Sequence, residues 1–376
     1  MHYNDPVKKM FVPDHPVRCQ VADTGPGVGP PTVGRGGAVP WVSIYLPGDT
    51  TMRILITGGA GFIGSHLAEA LLAAGHQVTV IDDLSTGCFA NIEPLTAHPR
   101  FHFAIETITN ETVMDRLTSE CDFVFHLAAA VGVTLIVRSP VHVIQTNVLG
   151  TEAVLRVANR YRRPVLLAST SEIYGKSEAV PFHEEADRVL GPTTRSRWSY
   201  STSKAVDEFL ALAYHKEKGL PVIITRLFNT IGPRQTGQYG MVVPRFVTQA
   251  LAGQPITVYG DGRQTRCFTD VLDVVRALIL LMETPAARGQ IFNVGGTEEV
   301  TILDLAQRIK ALAGSDSEIV CIPYDQAYEE GFEDMRRRVP DITRLHTLTG
   351  WTPQVSLDET LRRMIAHARQ HDGSSG

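Results

Sequence analysis

The stretch Ile54-Leu55-Ile56-Thr57-Gly58-Gly59-Ala60-Gly61-Phe62-Ile63-Gly64 decides the fold. Its first four residues form a short apolar run of the kind a parallel strand buries on both faces. Residues 62–74 then carry apolar side chains at helical spacing, and the pattern stops at Gly75. Between strand and helix, glycines at 58, 61 and 64 meet three needs: a tight turn, close approach of backbone to phosphate, and close packing of helix on strand. The free N–H groups and positive dipole end of the helix would face a pyrophosphate. Gly58, Gly61, Phe62, Ile63 and Gly64 are therefore expected to hold a dinucleotide. A second apolar run, 78–81, leads into Asp82, 18 residues past Gly64. A carboxylate there accepts hydrogen bonds from the ribose hydroxyls and repels a 2′-phosphate, which favours NAD over NADP. A glycine turn without a ligand is the bland alternative, and the strand, helix and following acid weigh against it.

Working outward, further apolar runs fall at 123–127 and 165–168, and long helical patterns at 140–160 and 201–217. Strands alternating with helices imply an α/β fold, a Rossmann-like doubly wound parallel sheet, over residues 53–228. After Arg226 the rhythm loosens. Short apolar runs at 256–259 and 291–294 alternate with Gly- and Pro-rich loops and a helical pattern at 303–312. Residues 229–371 read as a smaller α/β C-terminal substrate-binding domain. Residues 1–52 hold eight of the 22 prolines and no sustained period, so they are expected to be a disordered extension outside the catalytic fold. Within them, Trp41-Val42-Ser43-Ile44-Tyr45-Leu46 could pair as a strand on the domain surface. The tail Gly373-Ser374-Ser375-Gly376 is expected to be disordered.

Composition excludes several classes. Hydrophobic residues make up 43% and charged residues 20% of the 376, which demands a packed core rather than disorder throughout. A net charge of −5 weighs against nucleic acid or anionic membrane as partner, while leaving an anionic substrate open to a local arginine cluster. The five cysteines are scattered without paired spacing, which argues against a disulfide scaffold and against a metal site, and for a reducing compartment. No apolar run reaches the roughly 20 residues that cross a bilayer, and no apolar signal core opens the chain. A cytoplasmic protein is expected.

Tyr200-Ser201-Thr202-Ser203-Lys204 puts a phenol and an ammonium four residues apart, on one helix face. A nearby ammonium stabilises phenolate, so Lys204 is expected to lower the Tyr200 pKa and make Tyr200 a base for a hydroxyl proton. Alone, that spacing describes a surface lysine beside a half-buried tyrosine equally well. Its context is Ser169-Thr170-Ser171-Glu172-Ile173-Tyr174-Gly175, directly after an apolar strand, where such sheets carry their chemistry.

With His126-Leu127-Ala128-Ala129, Arg226-Leu227-Phe228-Asn229 and Arg266-Cys267-Phe268-Thr269-Asp270-Val271, the chain from about residue 52 to 369 resembles the extended short-chain dehydrogenase/reductase family. These are the nucleotide-sugar epimerases, dehydratases and decarboxylases. The resemblance implies that Thr170 bonds a sugar hydroxyl and Tyr200, and that Lys204 also holds the nicotinamide ribose. It implies that Ala128, Ala129 and Ser169 line the nicotinamide, with Leu127 also binding the cofactor. Asn229, Val243 and Arg266 would grip a nucleoside diphosphate, with Tyr259 near its base; a guanidinium donates two parallel hydrogen bonds to such an oxyanion. It also implies a homodimer through the helices at 140–160 and 201–217. The family often has Gly-Asp after the third strand for adenine; here Phe103-Ala104-Ile105-Glu106-Thr107-Ile108 stands instead.

The form Thr-Ser-Glu-x-Tyr-Gly looks like UDP-glucuronate decarboxylases. Arg197-Trp198-Ser199-Tyr200 resembles the Arg-Trp-x-Tyr of a related bacterial decarboxylase. Arg336-Arg337-Arg338-Val339-Pro340-Asp341 resembles an Arg-Lys-Pro-Asp segment whose first arginine is catalytic, here Arg338, with Val339 in the lysine's place. The expected activity is oxidation of C4 of UDP-glucuronate by bound NAD, then loss of carbon dioxide, giving UDP-xylose or its 4-keto form. Thr170, Glu172, Tyr200, Lys204 and Arg338 would be catalytic, and Arg197 would bind substrate. The alternative is a UDP-glucose or UDP-glucuronate 4-epimerase. GDP-mannose 4,6-dehydratases share the Thr-Ser-Glu form, but Asp82 and Thr230-Ile231-Gly232-Pro233-Arg234 argue against that reaction. A non-catalytic NAD-binding regulator would have lost Thr170, Tyr200 or Lys204; all three are present.

Overall fold

The structure is a computed structural model that describes residues 51–237, 240–323 and 335–372. The expectations for the extension before residue 51 and for the last four residues lie outside it.

Strand β1 (Arg53–Thr57) buries every residue after Arg53 because it stands at the centre of the sheet. Helix α1 (Phe62–Ala73) follows the glycine turn, then β2 (Gln77–Asp82), β3 (Phe101–Ile105), α2 (Glu111–Ser119) and β4 (Phe123–His126). Helices α3 (Val133–Arg138) and α4 (Pro140–Tyr161) lead to β5 (Val165–Thr170), α5 (Arg197–Lys218) and β6 (Val222–Leu227). Next come β7 (Thr230–Ile231), α6 (Val242–Leu251), β8 (Ile256–Tyr259), β9 (Thr265–Cys267), β10 (Thr269–Asp270) and α7 (Val271–Glu283). The order closes with β11 (Gln290–Val294), β12 (Glu299–Thr301), α8 (Ile302–Ala313), β13 (Ile319–Ile322) and the helices Thr343–Thr349 and Leu357–Asp372.

Seven parallel strands form the main sheet in the order β3-β2-β1-β4-β5-β6-β11. The order reverses between β1 and β4, where Thr57 pairs with His126, and a crevice opens beyond those carboxyl ends. Alternation along β1 serves both faces. Ile54 and Ile56 pack with Leu67 and Leu71 of α1, Val274 and Leu278 of α7, and Trp351. Leu55 packs on the other side with Val154 and Leu155 of α4 and Val124. A separate apolar core under the substrate region joins Phe246 and Val247 of α6, Ile309 of α8 and Leu361.

Two expectations change. Residues 291–294, read as part of the substrate region, are the seventh strand of the main sheet, paired in parallel with β6. Helix α7 returns the chain to the cofactor side by packing its apolar stripe near α1, a long-range choice that strand-length patterns do not encode. The helix expected at 201–217 begins at Arg197, so Arg197 and Tyr200 both stand in its first turns. Among the described residues, no helix is long and apolar enough to cross a membrane, and no cluster of three His, Cys, Asp or Glu side chains could hold a metal ion.

Candidate active site

A cleft of about 610 Å³ opens over the crevice, walled by Gly58, Gly61, Phe62, Ile63, Gly64, Asp82, Leu127, Ala128, Ala129 and Ser169. Gly58 has φ +71°, and a Cβ there would come within 2.8 Å of the Ala128 nitrogen. A Cβ on Gly64 would overlap the Gly58 carbonyl oxygen. Gly61 caps α1 without a side-chain hydrogen bond, leaving the first N–H groups to a phosphate. The Asp82 carboxylate accepts from the N–H of Ala60 at 3.0 Å and of Leu84 at 2.9 Å. Burial pushes its pKa up and those two bonds oppose the rise. This cradle fits a dinucleotide. Its far end carries Glu106, Thr107, Ile108 and Thr109, the segment that replaces the Gly-Asp pair.

Beside it lies a second cavity of about 320 Å³, walled by Thr170, Ser171, Glu172, Arg197, Tyr200, Asn229, Val243, Tyr259, Arg266 and Arg338. Thr170 and Tyr200 line both cavities. They reach that junction from the end of β5 and the start of α5.

Glu172 sits in the short 3-10 turn Ser171–Tyr174. Arg197 forks onto it through both terminal nitrogens, one of them 3.0 Å from Oε1, and Arg338 Nη2 donates to the same Oε1 at 3.1 Å. Burial alone would raise the Glu172 pKa; the two guanidinium groups outweigh it and hold the carboxyl at about 2. Residues 336–341 are fixed over the site by backbone bonds on both sides of Phe182: its N–H donates to Val339 O and its carbonyl accepts from Asp341 N–H, each at 2.8 Å. Arg338 Nη1 also donates to Asn229 Oδ1 at 3.4 Å, and Asn229 Nδ2 donates to Cys267 O at 2.8 Å. Arg266 is directed by a bond to the Thr265 carbonyl at 2.8 Å.

The expectation for Tyr200 is corrected. Its pKa is raised, first by burial and then by the Glu172 charge, with the Thr170 hydrogen bond opposing. Lys204 lies on the wall of neither cavity; its Nζ donates to Asp207 Oδ2 at 2.7 Å. The pattern reading also missed Arg245, whose guanidinium lies 3.8 Å above the Tyr259 ring in the substrate cavity. It missed Glu208, whose carboxylate accepts from the Ser169 hydroxyl at 2.5 Å and from two nitrogens of the buried Arg226, Nε at 3.0 Å and Nη2 at 2.7 Å. Asp207 was missed as well, although its place three residues after Lys204 is a local signal; nothing local marks Arg245.

A glycine cradle and an arginine-walled cavity meeting at a Tyr-x-x-x-Lys helix define an extended short-chain dehydrogenase/reductase. The chain belongs to the GDP-mannose 4,6 dehydratase family, whose model matches residues 55–364. It is 43% identical over 319 residues to the UDP-N-acetyl-alpha-D-glucosaminuronate decarboxylase of Bacillus cytotoxicus, spanning 85% of this chain and 98% of that one. It is 40% identical to UDP-glucuronic acid decarboxylase 1 of Danio rerio, over 86% of this chain and 74% of the relative. Among solved structures, the UDP-glucuronic acid 4-epimerase of Bacillus cereus in complex with UDP-glucuronic acid and NAD superposes with a TM-score of 0.76 at 30% identity, covering 85% and 100% of the two chains.

Proposed function

We propose that this chain is a UDP-glucuronate decarboxylase, an NAD-dependent carboxy-lyase of the cytoplasm. The observation that carries the reading is Glu172, ionised between Arg197 and Arg338 beside Tyr200. Arg197 and Arg338 converge on Glu172 from two segments, and Arg245 and Arg266 stand on the same cavity wall. A carboxylate on C5 of the substrate suits such a guanidinium-lined wall; a neutral hexose makes no use of it. The decarboxylase names of the relatives agree.

When bound, NAD would supply the hydride acceptor for C4 and the later hydride donor, held by the Gly58–Gly64 turn, Asp82 and the Leu127–Ala129 wall. Tyr200 takes the C4 hydroxyl proton, and Thr170 orients both hydroxyls through its own. The 4-ketone makes the C5 carboxylate that of a β-keto acid. Arg338 and Arg197 hold this carboxylate, and the C5–carboxyl bond breaks as its electrons enter the ketone as an enolate. Glu172 keeps the guanidinium groups placed rather than moving protons, since a carboxyl held at about 2 stays ionised near neutrality. A proton then returns to C5, and reduction at C4 gives UDP-xylose, or the 4-keto sugar leaves. Arg266, with Asn229 and Val243, serves the diphosphate end, and Tyr259 the base.

The 43% identity to a UDP-N-acetyl-glucosaminuronate decarboxylase supports a second reading that differs only at C2 of the sugar. Incubation with each UDP-uronate and NAD, followed by mass and NMR analysis, separates them. Loss of carbon dioxide from UDP-glucuronate is the expected result. An isomer of unchanged mass would sink decarboxylation in favour of 4-epimerisation. The same reading implies a homodimer: Val141 and Leu149 on α4 and Phe209 on α5 are 67%, 56% and 65% exposed. Light scattering at the mass of one chain would exclude it.

A further inference from the structure

Lys204 and Asp207 stand three residues apart on one face of α5, 2.7 Å from nitrogen to oxygen, with side chains 2% and 0% exposed. A fully buried carboxylate is costly unless paired, so its place against this lysine is a strong constraint on both. Asp207 lines neither cavity.

The surroundings extend the constraint. Thr151 on α4 helps hold the charge on Asp207, working with Lys204 against burial. The Thr151 hydroxyl also meets His126 Nε2 at 3.0 Å, and His126 Nδ1 meets the Thr57 hydroxyl at 2.8 Å. Thr57 in turn accepts the Ala128 N–H at 3.2 Å, on the wall of the cofactor cleft. Buried polar groups therefore lie between the lysine and the cleft. His126 is neutral among them, because burial, with Lys204 adding, pulls its pKa down to about 3.

We propose that Asp207 is a positioning residue: its ion pair fixes the Lys204 ammonium and governs how much of that positive charge reaches Tyr200. The proposal rests on the reading of Tyr200 as base for the C4 hydroxyl. Among the described residues, the groups that act most on Tyr200 are Glu172 from the 3-10 turn, Thr170 from β5, and Arg197 and Asp207 from α5. Arg338 and Glu208 stand behind Glu172 and Asp207 respectively. Of these, Asp207 is the carboxylate whose charge offsets the lysine.

The test is the pH dependence of turnover in Asp207→Asn, using the UDP sugar that the wild-type enzyme oxidises at C4. The expected result is an acidic limb of kcat displaced to lower pH by about one unit, with the KM for the sugar within about twofold. An acidic limb at the wild-type position overturns the proposal, whatever happens to kcat. Asp207→Glu keeps the charge and changes its reach, so its limb should stay in place while kcat falls about tenfold. Full kcat in that variant also overturns it, and it carries the test alone if the asparagine variant fails to fold. Turnover of UDP-glucose but not UDP-glucuronate would remove the decarboxylase reading and leave this test intact. A wild-type enzyme that oxidises neither sugar overturns both.

Discussion

Along the cofactor cleft the contacts beside the turn come mostly from backbone and uncharged side chains: the turn from Gly58 to Gly64, Ala128 and Ala129, with the Asp82 carboxylate at its edge. Across Tyr200 the sugar cavity is walled by long charged side chains from distant segments: Glu172, Arg197, Arg266 and Arg338. The first surface is set by what a Cβ would strike, and the second by how charges cancel. The cleft should therefore be intolerant of added atoms, and the cavity intolerant of altered charge.

The strongest test of that contrast is Gly64→Ala. Its new methyl meets a carbonyl oxygen of the turn, which is backbone and cannot rotate away. Overpacking of this kind costs about 3 kcal/mol, and titration with NAD should show binding reduced beyond detection at ordinary concentrations. Retained binding would show that the turn can widen. On the charged side, Glu172→Gln adds no volume. It should leave C4 oxidation in place and slow carbon dioxide release about a hundredfold, as loss of a preorganised electrostatic group does. Single-turnover measurement of NADH and of carbon dioxide separates the steps, and unimpaired release would remove Glu172 from the mechanism.

Acid should divide the two regions as well. His66 on α1 is buried and neutral, its pKa pulled by burial and then by Arg234 from 6.5 to about 4. His126 on β4 falls likewise to about 3. Both take up protons on unfolding, so the stability they confer is whole above about 6.5 and is lost as pH falls toward those values. Between pH 7 and pH 5 His66 alone accounts for roughly 2 kcal/mol. Glu172 is depressed from 4.5 to about 2, so its contribution survives until pH falls below 4.5. Hydrogen exchange at pH 5 should rise first in β1, α1 and β4. Earlier opening of residues 336–341 would break the comparison.

The same contrast explains what the sequence revealed. The glycine turn was readable because each glycine answers a local steric demand, and Asp82 because a strand carries it to the edge of that turn. Tyr200 and Thr170 were readable as a pattern, but the sign of the Tyr200 shift was not. That sign is set first by burial of the phenol, then by Glu172 lying close to it, with a smaller push from Asp207, and none of these follows from the spacing of Tyr200 and Lys204 alone. Arg338 was legible only through its resemblance to a motif, since three consecutive arginines ordinarily describe a solvated surface. Arg245 and the return of β11 to the main sheet depend on contacts across the fold and left no local mark.

The smallest effect concerns the Asp82 charge beside the glycine turn of the cofactor cleft. Asp82 is held by two backbone N–H groups, so its carboxylate cannot swing aside, and Gly87 packs so closely that a Cβ there would come within 2.7 Å of Oδ1. A 2′-phosphate entering this corner would face a fixed negative charge. In Asp82→Ser the repulsion disappears, but no cation replaces it. The preference for NAD over NADP, measured as the ratio of their binding constants, should fall about tenfold without reversing, equivalent to roughly 1.4 kcal/mol. An unchanged ratio would mean that shape sets the choice of dinucleotide. The cleft would then be governed by sterics throughout, and charge would matter only on the sugar side of Tyr200.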